Sequence, residues 1–185
     1  NSKSLLLSTS DVVRSEDENI SKEKDNRPQD NSSFYHKILY YDFDKRNIET
    51  FSKGHRNPGS ILVNQETIIS TEHGPRGGDE INLIKKNGNY GWPISSYGDL
   101  YFTRQKNPFY KKSHEKFGYI EPVFSYVPSI GISTIIKVPE NFSRFWQDNY
   151  LIASLWGNSL YRIKFDSGYN KILFSEKIFL GERIR

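Results

Sequence analysis

Three segments of the sequence combine glycine and proline with charged and imidazole side chains, a composition too specific for ordinary turns. They are residues 54–59 (GHRNPG), residues 71–82 (TEHGPRGGDEIN), which run on to residues 89–93 (NYGWP), and residues 181–185 (GERIR). Arginine pairs with carboxylates in planar, bidentate geometry, and carboxylate and carbonyl oxygens bind hard cations. These segments are therefore candidates for a binding site. Surface arginines and a solvated acidic pair at the glycine turn are the alternative interpretation.

The composition excludes several classes of protein. The 26 basic and 22 acidic residues leave a net charge of only +4, which is too small and too dispersed for a nucleic-acid-binding face. The absence of cysteine excludes disulfides, thiolate catalysis and cysteine-ligated zinc or iron–sulfur clusters. No apolar run approaches the about 18 residues of a membrane span. We expect neither a nucleic-acid partner nor a membrane span.

The elements that must position these segments are β-strands. The chain is 15% aromatic and contains a single alanine, Ala153, which favours strands over helices. Short apolar runs, several with period-two alternation, lie between glycine, proline, asparagine and aspartate. The sequence therefore predicts an all-β fold. The predicted strands are residues 37–43, 67–71, 80–84, 133–138, 150–155 and 159–165.

A strand pair recurs along the chain. Three strands share one design, in which three apolar residues give way to small and polar ones, and each is followed by a second strand. Recurrence at intervals of roughly 60 to 80 residues is typical of a β-propeller, in which polar strand ends build a site at a central channel. A β-sandwich with coincidental likeness between strands is the alternative. The first strands begin at Leu5, Thr67 and Tyr150, and their partners begin at Ile38, Ile81 and Leu160.

One segment has a different character. Residues 14–33 are crowded with charged and amide side chains and contain almost nothing apolar. Such a composition predicts a polar loop excursion from the fold, either solvated or disordered.

The motifs GHRNP (residues 54–58), TEHGPRGGDEINLI (71–84) and NYGWP (89–93) resemble, in this order, those of the glucose/sorbosone dehydrogenase family. These are soluble aldose sugar dehydrogenases that use pyrroloquinoline quinone (PQQ). Shorter matches at residues 28–30 and 128–130 extend the resemblance over nearly the whole chain. It implies a six-bladed β-propeller, of which residues 1–185 would be a fragment of about three blades. The absence of a methionine at the start fits a fragment.

The resemblance implies the cofactor-binding residues. Arg56, Arg183 and Arg185 match the arginines that hold the cofactor in the family, and PQQ carries carboxylates that suit such a cationic cage. In an extended chain Arg183 and Arg185 project to the same side. The resemblance also implies that Asn57 hydrogen-bonds beside Arg56 and that His73 lies near the cofactor.

Trp156 departs from the family, which normally has a lysine of the cationic cage at this position. The indole could stack on the flat quinone or block the pocket. Loss of one cation would weaken cofactor binding by a few kcal/mol, on the scale of charge-assisted hydrogen bonds. The alternative function is therefore a non-catalytic β-propeller that binds carbohydrate or protein.

The resemblance also implies Ca²⁺. A catalytic ion would polarise the quinone as a Lewis acid, supported by the backbone carbonyls of Gly74 and Pro75. Thr103 replaces a carboxylate of some relatives, so a site there would be weaker, and plain loop residues are the alternative. The expected structural calcium sites comprise Glu80 with Tyr90, and Tyr101 with Thr103 and Glu121.

No catalytic residue is expected within the chain, because the family's general-base histidine would lie upstream. We expect His55 and His73 to hold loops or line the pocket, and His36 and His114 to lie at the surface.

The aromatic pair after the NYG turn, Trp92 and Tyr97, could form a platform for a sugar ring, although such aromatics more often belong to the core of a propeller.

The function implied by the resemblance is oxidation of the C1 hydroxyl of aldoses to lactones, by hydride transfer to the quinone. The partners would be an aldose, an external electron acceptor and a second copy in a homodimer. The location would be periplasmic or secreted. The fragment by itself should be inactive, because a half-propeller leaves strand edges open.

Overall fold

The computed structural model describes residues 3–10, 26–99 and 110–184. Helical structure within those ranges is limited to short 3₁₀ turns at Glu115–Phe117 and Arg144–Trp146, and none of it could cross a membrane. The all-β prediction is confirmed. The strands are β1 Ser4–Ser8, β2 Lys37–Asp42, β3 Asn47–Lys53, β4 Pro58–Asn64, β5 Thr67–Glu72, β6 Asp79–Leu83, β7 Gly88–Asn89, β8 Phe124–Tyr126, β9 Ile132–Lys137, β10 Asn149–Ser154, β11 Ser159–Phe165 and β12 Ile172–Phe179.

Each of the six predicted runs coincides with an observed strand to within one residue at either end. The strands that the sequence pattern missed are β3, β4, β7, β8 and β12. Both β3 and β12 bury almost none of their side chains. Without a buried face they lack the alternation of apolar and polar residues by which a strand is recognised.

The strands form three four-stranded sheets. The first has the order β1-β2-β3-β7, the second β4-β5-β6-β8, and the third β12-β11-β10-β9. Neighbouring strands are antiparallel except for β3 and β7, which are parallel. The recurring strand pairs of the sequence are neighbours in these sheets, as β1–β2, β5–β6 and β10–β11.

The sheets pack side by side around β4, which contacts both β1 and β9. A large core of buried isoleucines, including Ile69, Ile81 and Ile152, fills the space around the second and third sheets. A smaller cluster with Ile38 and Tyr90 at its centre lies between the first and second. Three consecutive four-stranded sheets are blades of a β-propeller, because a sandwich would bury two sheets face to face.

The connection from β6 to β8 crosses onto the first sheet. Its strand β7 pairs with β3, and the backbone N–H groups of Tyr90 and Trp92 donate to the carbonyls of Lys53 and Gly54, both at 2.9 Å. These bonds hold the NYGWP segment against the GHRNP segment. Two of the motif segments from the sequence are therefore adjacent in space.

The described part of the polar excursion, residues 26–33, forms turns that close over the same region. The Gln29 side chain donates to the carbonyl of Trp92 at 2.6 Å. The buried ammonium of Lys37 donates to the carbonyls of Arg27, Pro28 and Tyr35 at 2.7, 3.1 and 2.9 Å. This end of the excursion is bound to the fold, and residues 14–25 lie outside the described residues.

Candidate functional site

A small pocket opens where strands β5 and β6 meet the NYGWP segment. It is lined by glycines and by polar and aromatic side chains that come from four separate parts of the chain. The predicted site residues that line it are Arg56, His73, Gly74, Pro75, Glu80 and Tyr90. Trp92, one of the two aromatics considered as a sugar platform, lines it as well.

Arg56 lies at the wall of this pocket with its side chain already oriented. Nη1 donates to the carbonyl of His73 at 2.9 Å, and the guanidinium carbon lies 5.5 Å from the ring centroid of Trp92. The backbone of the next residue, Asn57, accepts from the N–H of His73 at 3.0 Å. The GHRNP loop is thereby paired with the end of β5, and the guanidinium points along the pocket wall.

Glu72 was not singled out in the sequence, although it carries the most hydrogen bonds at this end of β5. One carboxylate oxygen accepts from the backbone N–H groups of Arg56 and Asn57. The other accepts from His55 Nδ1 at 3.1 Å and from Asn82 Nδ2 at 3.4 Å. Burial alone would raise the pKa of Glu72, but the His55 hydrogen bond and charge, with these backbone donors, hold it below its usual value. The carboxylate is therefore ionised at neutral pH.

His55 and His73 behave as expected for loop-holding and pocket-lining histidines. His55 is fully buried, stacks on Tyr90 and also contacts Ser52 Oγ through Nε2 at 2.8 Å. Burial lowers the pKa of His73, with Asp79 opposing that effect and Arg56 reinforcing it. His73 is consequently neutral at pH 7.

Gly74, the residue after His73, occupies a position where only glycine fits. A Cβ on Gly74 would lie 2.2 Å from the carbonyl oxygen of Gly78 and 2.3 Å from that of Gly77. Its N–H donates to Asp79 at 3.1 Å. In the described part of the chain no hydrogen bond ends on the carbonyl of Gly74 or Pro75. Both residues line the pocket.

Asp79 and Glu80 are not a solvated acidic pair, so the alternative interpretation of these residues is wrong. They are only 1% and 8% exposed. Asp79 accepts from Ser129 Oγ at 2.8 Å and from the N–H groups of Ile130 and Ile132 at 3.0 and 2.9 Å. The carboxylate therefore joins the Gly74 turn to the start of the third sheet.

Glu80 and Tyr90 are linked through His114. Nδ1 of this histidine contacts the Tyr90 carbonyl at 3.0 Å, and its Nε2 lies 3.4 Å from Glu80 Oε1. Burial, and then the charge of Glu72, raise the pKa of Glu80 well above its usual value. The Tyr90 phenol is engaged separately, donating to the Leu83 carbonyl at 2.6 Å.

The histidines predicted to lie at the surface are both buried, so that prediction was wrong. His114 is 1% exposed and stacks on Tyr97, and His36 is 2% exposed with Nδ1 3.0 Å from the Arg56 carbonyl. The groups that they contact, Arg56 for His36 and Tyr90 for His114, are 20 and 24 residues distant in sequence.

The polar atoms around Glu80 form only part of a cation-binding site. Asn82 Oδ1 and His114 Nε2 are buried without a hydrogen-bond partner among the described residues. Within those residues no cluster of three or more histidine, aspartate and glutamate side chains has a metal-binding arrangement. A cation here would therefore depend on backbone and amide oxygens in addition to the carboxylate.

Comparison with known proteins identifies the family of this chain. A family model described as "Glucose / Sorbosone dehydrogenase" matches residues 23–185. The chain belongs to this family. The aldose sugar dehydrogenase YliI of Escherichia coli is 35% identical over 109 residues, which are 58% of this chain and 29% of that protein. Quinoprotein glucose dehydrogenase B of Acinetobacter calcoaceticus is 39% identical over 74 residues, 39% of this chain and 14% of that protein.

A crystal structure of glucose dehydrogenase superposes with a TM-score of 0.80 at 26% identity, covering 98% of this chain and 54% of that one. The chain thus spans about half of this structure and less than a third of either relative named above. The fold shared with it is the β-propeller, of which this chain contains consecutive blades.

Other predicted residues of this glucose/sorbosone dehydrogenase chain lie away from the pocket. Trp156 is 83% exposed, and Arg183 is also exposed. Arg185 lies outside the described residues. The structure does not bring Trp156 or Arg183 to Arg56.

The third predicted calcium site falls mostly outside the described residues, because Tyr101 and Thr103 are not among them. Glu121 is described, and both of its oxygens are engaged. One accepts from the Tyr97 hydroxyl and the other from the backbone N–H of Glu115 at 3.0 Å.

Proposed function

We propose that this chain is part of a PQQ- and Ca²⁺-dependent sugar dehydrogenase that oxidises the C1 hydroxyl of an aldose to a lactone. The observation that carries the proposal is the convergence in one pocket of a preoriented guanidinium, Arg56, with the carbonyls of Gly74 and Pro75, which accept no hydrogen bond from the described residues. The family membership and the likeness to a quinoprotein glucose dehydrogenase support it.

The residues present fit such a cofactor. PQQ would supply the hydride acceptor, and a Ca²⁺ ion on its quinone oxygens would supply a Lewis acid. Arg56 and Asn57 would bind the cofactor through charge-assisted and amide hydrogen bonds. The carbonyls of Gly74 and Pro75 would bind the ion, since both oxygens are free of other hydrogen bonds among the described residues.

His73 would line the cofactor pocket as a neutral imidazole, because burial lowers its pKa. Arg183 and Arg185 would complete the cationic cage from the end of the chain. A structural calcium would use the carboxylate of Glu80, the carbonyl of Tyr90 and the amide oxygen of Asn82. Tyr101, Thr103 and Glu121 would form a further site.

The remaining parts of the proposal concern the whole enzyme. The general-base histidine would come from a blade upstream of this chain. The electrons would pass to an external acceptor, and the enzyme would act in the periplasm or outside the cell, in one or two copies. The chain by itself would be inactive.

A non-catalytic propeller that binds carbohydrate or protein is the second candidate. It is favoured by Trp156, which has no positive charge and is 83% exposed where relatives carry a lysine. The pocket of this second candidate would bind a ligand without transferring electrons.

The test is a titration of the full-length protein with PQQ in the presence of Ca²⁺, followed by cofactor absorbance and by dye reduction with a panel of aldoses. We expect saturable binding and aldose-dependent dye reduction. Arg56→Lys should weaken PQQ binding about tenfold or more, since lysine lacks the planar bidentate donor. The exposed Arg144→Lys serves as the matched control and should bind as the parent does. Absence of PQQ binding by the parent would exclude the enzyme.

A further inference from the structure

The Glu72 carboxylate accepts hydrogen bonds from the backbone N–H groups of Arg56 and of the next residue, Asn57. We infer that Glu72 is a positioning residue that holds the main chain of Arg56 and Asn57 in the conformation the cofactor needs. The expected effect on cofactor binding rests on the proposed function. The positioning of the loop is a property of the protein without cofactor.

The contacts of Glu72 extend to both sides of the pocket wall. Oε1 accepts from the N–H groups of Arg56 and, at 3.3 Å, Asn57. Oε2 accepts from His55 and Asn82 at 3.1 and 3.4 Å. The residue is 4% exposed, so water cannot replace these donors readily. One side chain thus satisfies two consecutive backbone donors of the GHRNP loop.

The carboxylate is itself held in place by His55. The imidazole is fully buried, its ring lies 4.6 Å from that of Tyr90 at an angle of 24°, and its Nε2 contacts Ser52 Oγ at 2.8 Å. A serine, a histidine and a carboxylate in series have the order of a hydrolytic relay. Here the three are 1%, 0% and 4% exposed, so no substrate reaches the serine and the chain of contacts serves to fix Glu72.

The backbone of Arg56 is held from the other side as well. Its carbonyl lies 3.0 Å from His36 Nδ1, and Nη1 of its side chain donates to the carbonyl of His73 at 2.9 Å. With the N–H, the C=O and the guanidinium each engaged, little motion remains for the loop. A ligand that binds to a preoriented group avoids the entropic cost of ordering it.

Removal of Glu72 would leave two backbone donors unsatisfied in a buried loop. The loop would then sample other conformations, and Arg56 would be ordered only when the cofactor binds. The expected consequence is a lower affinity for PQQ. The sugar-dependent step at saturating cofactor should change much less, because Glu72 acts on the cofactor through the main chain of Arg56 and Asn57.

The experiment compares Glu72→Ala, Glu72→Gln and the partly exposed control Glu49→Gln in the full-length protein. The first readout is amide hydrogen exchange of Arg56 and Asn57 without PQQ. We expect exchange at least about tenfold faster in Glu72→Ala, because its two hydrogen bonds are lost. Glu72→Gln keeps an acceptor oxygen and should restore most of the protection. The Glu49→Gln control should leave these amides unchanged.

The second readout is the dissociation constant for PQQ in single and double variants. In the parent background, Glu72→Ala should weaken PQQ binding about tenfold or more. In the Arg56→Ala background, the same substitution should weaken binding by less than about threefold, because the effects of coupled residues are not additive. Equal losses in both backgrounds would overturn the inference. Unchanged amide exchange in a folded Glu72→Ala would overturn it too. If the parent binds no PQQ, the proposed function fails, while the exchange result still decides whether Glu72 positions the loop.

Discussion

The hairpins β5–β6 and β10–β11 have the same position in adjacent blades, yet their ends use different chemistry. Glu72 lies opposite Glu80 at the last register pair of the first, and Ser154 lies opposite Ser159 at that of the second. Glu72 reaches the loop of another strand. Ser154 Oγ accepts from Gly157 N at 2.8 Å, within its own hairpin turn, and donates to the Ile130 carbonyl.

This difference explains why one hairpin end can form a binding site. A buried carboxylate requires several donors and therefore draws distant backbone segments around it. Ser159 bonds within its own turn, and Ser154 adds to its turn a single bond to another segment, at Ile130. The carboxylate end consequently assembles a pocket from four segments, whereas the hydroxyl end closes a hairpin.

The largest effect should come from removing the acid that joins the two blades. Asp79→Ala leaves the N–H groups of Gly74, Ile130 and Ile132 without their acceptor. We expect a loss of at least about 3 kcal/mol in the free energy of unfolding, since each buried donor left unsatisfied costs about 1 kcal/mol or more. Ser154→Ala at the other hairpin should cost about 1 kcal/mol. Urea denaturation of both variants tests the comparison, and equal losses would contradict it.

The next effect depends on pH and concerns Tyr126 of β8. This residue lies opposite Asp79 of β6 and packs edge-on against Tyr161 of β11. Burial raises the pKa of Tyr126 from 10.0 to about 12. The unfolded chain loses this proton first as the pH rises, so stability is complete below pH 10 and declines between 10 and 12. Tyr126→Phe should remove about 2 kcal/mol of that decline.

The measurement for Tyr126 is the free energy of unfolding of parent and variant between pH 8 and 11.5. A matched control is Tyr35→Phe, because Tyr35 is exposed. Parallel curves of unfolding free energy against pH for Tyr126→Phe and the parent would show that the burial of Tyr126 does not cause the loss of stability at alkaline pH.

A smaller effect is expected from the hydroxyl cluster at the opposite end of β10. Tyr150 Oη lies 2.9 Å from Tyr169 Oη, and Asn64 Nδ2 donates to them at 3.3 and 3.1 Å, respectively. Tyr150→Phe should cost about 1 kcal/mol, the usual contribution of such a hydrogen bond. The double variant with Tyr169→Phe should lose less than the sum of the two single losses, measured by thermal unfolding. Strict additivity would mean that the hydroxyls do not act together.

The smallest effect on stability should come from Trp156, which lies in the turn between β10 and β11. Because the indole is 83% exposed, Trp156→Lys should change the free energy of unfolding by no more than about 0.5 kcal/mol. If the cationic cage of the proposed cofactor site extends to this position, the same variant should bind PQQ several-fold more tightly. Weaker binding by Trp156→Lys would instead indicate that the indole contacts the cofactor.

The sequence pattern predicted those strands with one buried face or with a continuous apolar run. Residues 67–71 and 159–165 were predicted almost to the residue, because side chains alternate between the faces of a strand. Strands β3 and β12 were missed because nearly all their side chains are half-buried or exposed. β4 was missed because its first residue, Pro58, belongs to a motif that resembles a loop.

For the site, the resemblance indicated Arg56 and the Gly74–Pro75 pair, and the structure places both in one pocket. No local pattern identified Glu72, which needs partners 15 to 17 residues away along the chain. A signal was present, since a glutamate that ends an apolar strand must find donors when it is buried. His114 was likewise misjudged because Tyr90 and Tyr97, which cover it, are 24 and 17 residues distant.

By itself, the sequence determined the all-β fold, the recurring strand pairs and the glycine-dependent turns, because these depend on neighbours within a few residues. Only the tertiary structure decided which acids are buried and ionised, which carbonyls remain unengaged, and which arginine reaches the pocket. Those properties depend on desolvation and on hydrogen bonds across long separations, such as that between Asp79 and Ile132, 53 residues apart. Burial shifts the pKa of a carboxylate and makes it require hydrogen-bond donors that water would otherwise supply.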